Sequence, residues 1–163
     1  MTIRRVLVAV DDSPAALRAA RVAVDLAQGW RAELLFVTVA ADHTLDALLD
    51  TATTHDGATE RVEQAARALL ERLADTAQFQ GLGVDTVQLQ GEPFRKILNQ
   101  AQSWEADIIV MGRSDRRGPS SPYLGSVTAH VLEFAECLVL VVPRAAPAAT
   151  DRRFQSRDQG ATP

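Results

Sequence analysis

Hydrophobic and polar positions alternate along this chain in blocks rather than evenly. Val6-Leu7-Val8-Ala9-Val10 is a short apolar run closed by Asp11-Asp12-Ser13-Pro14. A continuous run of that length, ended by turn residues, reads as a strand buried on both faces. Ser13 then serves as a helix N-cap with Pro14 at the first helical position, where a missing N–H costs nothing. Leu17, Ala20, Val24 and Ala27 follow at helical spacing, and Gly29 stands where a left-handed terminal residue is wanted. Ala32 to Val39 predicts a second buried strand around Leu34-Leu35-Phe36-Val37. Ala40 to Gly57 reads as a long, partly helical loop, and Val62, Ala66, Leu69, Leu73 and Ala77 predict an amphipathic helix closed by Gly81 and Gly83.

The second half repeats the theme with one change. Val84 to Gln90 alternates polar and apolar residues, the mark of a half-exposed edge strand. Gly91-Glu92-Pro93 opens a helix to about Ser103, with Phe94, Ile97, Leu98 and Ala101 on one face. Ala106-Asp107-Ile108-Ile109-Val110-Met111-Gly112 is the next buried strand, an Arg- and Ser-rich loop follows, and a helix with Val127, Val131 and Phe134 inward leads into Cys137 to Val142. Five strands alternating with four helices predict crossover connections and a parallel sheet covered on both faces. In such sheets ligands sit beyond the carboxyl ends of the strands, and a helix N-terminus with small residues offers N–H groups to an anion. The last strand is apolar throughout, yet a terminal strand often lies at an edge, so pairing with a second copy through Cys137 to Val142 is expected.

Composition narrows the class. The net charge of -4 leaves no basic face for sequence-independent nucleic-acid binding, and no apolar run reaches membrane-spanning length. Met1 leads through Thr-Ile-Arg-Arg into a strand pattern rather than an apolar leader, so a cytoplasmic protein is expected. Cys137, the single cysteine, fits a small core residue. Residues 1–143 read as one domain and residues 144–163, polar and rich in Ala, Arg and Pro, as a flexible tail. His43, His55 and His130 show neither ligand spacing nor a nucleophile partner, and there is no lysine-bearing phosphate loop.

Val6 to Ser13, Ala106 to Gly112, Leu124-Gly125-Ser126-Val127-Thr128 and Cys137 to Val142 together resemble the universal stress protein family, in order and at family spacing over about residues 3–143. The resemblance implies a single-domain, Rossmann-like α/β three-layer sandwich with a five-stranded parallel sheet of order 3-2-1-4-5. It also implies a cytoplasmic homodimer paired through the last strand and, in one branch, ATP bound without a phosphate-transfer site. That branch carries Gly, two residues, Gly, nine residues, then Gly-Ser or Gly-Thr. Gly112 and Gly125-Ser126 match its ends with the loop length preserved, while the middle glycine is Asp115. By position the family assigns Ala9, Val10 and Asp11 to the ribose and adenine side, Val37 and Met111 to the adenine pocket, and Gly112, Gly125, Ser126, Val127 and Thr128 to the phosphates.

The residues themselves leave alternatives. Ser126 can contact phosphate or serve only as an N-cap, and Asp11 can accept hydrogen bonds from a nucleoside or merely start a turn. Asp11 and Asp12, adjacent at a strand end, point apart and make a poor metal pair. Asp115 is the deciding departure: a carboxylate about 5 Å from a phosphate charge costs roughly 1–3 kcal/mol at an effective dielectric between about 80 and 20. Arg113, Arg116 and Arg117 can offset that charge, and a nucleotide-bound Mg or Mn ion can bridge Asp115 to the phosphates. The expected function is therefore non-catalytic binding of ATP or another adenine nucleotide by a homodimeric stress-response sensor or regulator. The alternatives are an interaction module of the same fold with a degenerate pocket and, third, a slow ATPase.

Overall fold

The computed structural model describes residues 2–40, 56–113 and 124–143, with the side chains of residues 56–59 left aside. The expectations for the loop after Ala40, for residues 114–123 including Asp115, and for the tail after Pro143 lie outside the described residues. Within them the order is β1 (Arg5–Ala9), α1 (Pro14–Trp30), β2 (Glu33–Ala40), α2 (Asp56–Phe79), β3 (Val84–Gln90), α3 (Pro93–Ser103), β4 (Ile108–Gly112), α4 (Ser126–Phe134) and β5 (Leu138–Val142). All strand pairs are parallel, in the order β3-β2-β1-β4-β5. The strand order reverses between β1 and β4, with Val8 level with both Phe36 and Val110.

The apolar runs are continuous because both faces of the sheet are covered. Val6, Val8, Leu34, Phe36, Ile108 and Val110 pack under α1 and α2. Their neighbours Leu7, Ala9, Leu35, Val37, Ile109 and Met111 pack against Ile97 and Ala101 of α3 and Val131 of α4. α1 presents Ala15, Ala16, Ala19, Ala20, Ala23, Val24 and Ala27 to the sheet, and such small side chains let it lie close. At the lower end of the sheet, Asp107 accepts hydrogen bonds from the backbone N–H groups of Arg4 (2.7 Å) and Arg5 (3.0 Å), which aligns the starts of β1 and β4.

Three local expectations change. α1 runs through Gly29, and the left-handed terminal residue is Arg31, at φ 53°. Its N–H satisfies the carbonyls of Ala27 and Gln28, so capping prevails over the residue's own preference. In α2, which begins at Asp56, Val62 is exposed; Glu63 accepts a 2.9 Å bond from Gln90 of β3, and Leu70 and Ala77 carry the burial. In α4, Val131 is fully buried, whereas Phe134 is 56 % exposed and stacks outward beyond His130.

β3 is the polar edge expected from its alternation. Gly91, at φ 122°, makes the turn that swings the chain from β3 into α3, a conformation open mainly to glycine. β5 forms the other edge, and Leu138 remains 47 % exposed there.

Candidate functional site

At the point where the strand order reverses, the carboxyl ends of β1 and β4 diverge and a crevice of about 640 Å³ opens. The sequence elements meet there for separate reasons. β1 delivers Ala9, Val10 and Asp11; β2 contributes Val37; β4 supplies Met111, Gly112 and Arg113; and the start of α4 adds Gly125, Ser126, Val127 and Thr128. The sequence-expected residues that lie within the described chain thus line one cavity. Val39, Pro93, Ile97, Ser13 and Ala16 line it too, though sequence reasoning did not single them out. One of these had a signal: Val39 shares a strand face with Val37.

One side of the crevice is apolar. Ala9, Val37, Ile97 and Met111 are nearly inaccessible to solvent, and Val39 is partly buried. Such a slot accepts the flat face of an aromatic ring. The other side is polar and belongs to α4. Its N-cap is Gly125, in an extended conformation (φ -62°, ψ 154°), with no side-chain hydrogen bond to the helix. Ser126 is therefore the first helical residue and not the cap. The N–H groups of a first helical turn have no partner within the helix, and the dipole gives them a partial positive charge. By contrast the start of α1 is closed by its own cap, since Ser13 Oγ accepts from the Ala16 N–H at 3.2 Å.

Other groups hold the crevice in shape. A Cβ on Gly112 would lie 2.5 Å from the carbonyl carbon of Ala15 and 2.6 Å from the Ala16 nitrogen. The end of β4 thus rests directly on the first turn of α1, and close packing is reason enough for glycine there. The Thr128 hydroxyl, buried, donates to the Gly112 carbonyl at 3.3 Å. That leaves only its backbone N–H for an anion. Asp11 Oδ1 accepts from the Ser13 N–H at 3.0 Å, so the carboxylate does start the turn into α1. No donor among the described residues reaches its second oxygen. The Arg113 N–H bonds the Val142 carbonyl at 2.9 Å and carries the β4–β5 ladder to the mouth of the crevice.

His130 sits behind the start of α4. Its Nδ1 donates to the Ser126 carbonyl at 2.7 Å, and its ring stacks on Phe94 with centroids 4.6 Å apart. It braces α3 against α4 without lining the crevice. Among the described residues, no group of three or more His, Cys, Asp or Glu side chains comes together, and no helix is long and apolar enough to cross a membrane.

The fold and crevice define a class: a doubly wound α/β domain with a ligand-sized opening at its switch point, bounded by an apolar slot and an uncapped helix N-terminus. The universal stress protein family matches residues 2–143, and the chain belongs to that family. A universal stress protein of Thermus aquaticus is 34 % identical over 139 residues, covering 85 % of this chain and 98 % of that one. One from Synechocystis is also 34 % identical, over 83 residues, or 51 % of this chain and 54 % of its own length. Among solved structures, a universal stress protein in complex with cAMP is 23 % identical with a TM-score of 0.68, covering 89 % of this chain and all of that one. A family protein from Arabidopsis thaliana with AMP bound is 21 % identical with a TM-score of 0.62, covering 90 % of this chain and 97 % of its own.

Proposed function

We propose that this universal stress protein binds an adenine nucleotide of the ATP type in the switch-point crevice, without transferring its phosphate, and acts as a cytoplasmic homodimer in a stress response. The observation that carries the reading is the pairing of an apolar slot with an uncapped helix N-terminus inside one cavity. Adenine takes the slot of Val37, Val39, Ile97 and Met111. The free oxygen of Asp11 accepts from the ribose or the adenine amino group, and the first-turn N–H groups of α4 hold the phosphates. Arg113 offers positive charge on the rim, and Asp115 together with the phosphates would hold a Mg or Mn ion brought by the nucleotide, which would offset their negative charge. Relatives of this fold with cAMP and with AMP bound support an adenine nucleotide as the ligand class. Family membership supports the stress-response role, and the exposed apolar edge of β5 supports pairing with a second copy.

A second reading keeps the fold and drops the ligand: Asp115, where the nucleotide-binding branch has glycine, leaves an interaction module with a degenerate pocket. Calorimetry separates the two. Titration with ATP and Mg²⁺ gives a saturable heat if the first reading holds, and mass spectrometry of the purified protein finds a released adenine nucleotide. Absence of both, with ATP at millimolar concentration, overturns the first reading. Turnover of ATP that disappears in Ser126→Ala would instead make the protein an enzyme.

A further inference from the structure

His130 stays outside the crevice, yet its imidazole is held firmly beside the helix start that bounds it. The ring stacks on Phe94 of α3 at 4.6 Å and 20°, lies nearly parallel to Phe134 at 6.4 Å and 12°, and bonds the Ser126 carbonyl through Nδ1 at 2.7 Å. A carbonyl only accepts, so Nδ1 carries the hydrogen. Among the described residues, no other side chain bonds a carbonyl in the first turn of α4.

The effect of that bond depends on the peptide unit it reaches. The Ser126 carbonyl and the Val127 N–H share one planar amide aligned with the helix axis. The carbonyl faces His130, and the N–H faces the crevice that Val127 lines. The helical pattern already gives this carbonyl the backbone N–H of His130, so Nδ1 is a second donor to it. A hydrogen bond accepted at one end of an amide strengthens the donor at the other, by roughly 10–30 % for each bond. The Val127 N–H has no partner within the helix, and no capping side chain competes for it. It is thus a donor both free and polarised, aimed at the polar side of the crevice.

We propose that His130 is a positioning residue for the nucleotide's phosphates, acting through the Ser126–Val127 amide to strengthen the Val127 N–H that meets a phosphate oxygen. The role rests on the binding reading above and adds to it a contribution from outside the cavity. It favours the charged end of the ligand alone, because adenine and ribose fall to the apolar slot and Asp11. The stack on Phe94 has a separate part: it orients the imidazole and braces α3 against α4.

Two variants separate polarisation from bracing. His130→Phe keeps an aromatic ring for the stack and removes the donor. His130→Asn removes the ring and places an amide nitrogen the same number of bonds from Cα as Nδ1. In calorimetry with the full chain, His130→Phe binds ATP about 3-fold more weakly and adenosine as before, while His130→Asn stays within about 1.5-fold of the original for both ligands. Thermal stability runs the other way, with the larger loss in His130→Asn, which gives up the stack. In the ligand-free protein, the amide nitrogen resonance of Val127 moves in His130→Phe and returns in His130→Asn, a signature that bracing does not produce. ATP affinity that is unchanged in His130→Phe, that falls most in His130→Asn, or that falls equally with adenosine affinity overturns the role and leaves nucleotide binding intact. Heat from neither ligand in the unaltered chain removes the binding reading itself, and the role with it.

Discussion

Two glycine positions of the nucleotide motif carry different physics. Gly112 is held against the first turn of α1, where a methyl group has no room, so Gly112→Ala lowers the stability of the ligand-free protein by about 1–3 kcal/mol, seen as an earlier thermal transition. Asp115→Gly acts on the ligand instead. Removing the carboxylate tightens ATP by about 10-fold in calorimetry, as expected for a charge term of roughly 1–3 kcal/mol partly offset by nearby arginines; unchanged affinity would remove the electrostatic account of that position. Cys137 makes a third kind of statement. Burial pushes its thiol above the ordinary value, the charges of Asp107 and Glu136 push the same way, and backbone N–H groups pull against them. A thiol with a raised folded pKa holds its proton longer when folded than when unfolded. Its contribution is complete below the unfolded value of about 8.5 and is lost as pH rises through the folded one. Chemical unfolding from pH 8 to 10.5 therefore shows a downward stability slope that is shallower in Cys137→Ser.

At the scale of elements, the start of α4 is the part whose chemistry can be isolated. Proline is at home in the first helical position, and Gly125 already has the extended conformation that a following proline requires. Ser126→Pro thus deletes one N–H donor and keeps the helix: the thermal transition moves by no more than a few degrees, while ATP binding weakens about 10-fold, beyond any loss in Ser126→Ala. The elements also show where reading from sequence succeeds. β1, β2 and β4 were legible because burial on both faces forces unbroken apolar runs, and β3 because one exposed face forces alternation. The phase of α2 was not. Its Ala- and Glu-rich stretch offers neighbouring stripes of similar apolarity, and the contact of Glu63 with Gln90 helps fix the stripe with Leu70 inward and Val62 outward. Phe134 misled for a related reason: it falls at the last turn of a nine-residue helix, beyond the sheet surface that buries Val131. The polar half of the crevice was legible as a glycine-serine helix start. Its apolar half was only partly so, since Pro93 and Ile97 reach it through a crossover that no local pattern reports.

The whole molecule has two unlike edges. β3 ends the sheet with charged and amide side chains, and β5 ends it with Leu and Val, so only one edge invites a second copy. The same topology places β1 at the centre, and Asp107 reaches back 103 and 102 positions along the chain to hold the amide of Arg4, just before the strand, and that of Arg5, its first residue. That bond carries a consequence for the order of events during synthesis. The strand made first gains its β2 neighbour early, but its other side stays open until the ribosome has added about a hundred residues more. Folding must then close a long loop before the centre is sealed, a step that contact-order arguments make slow. In that interval the most apolar surface of the protein is the part least protected from other chains.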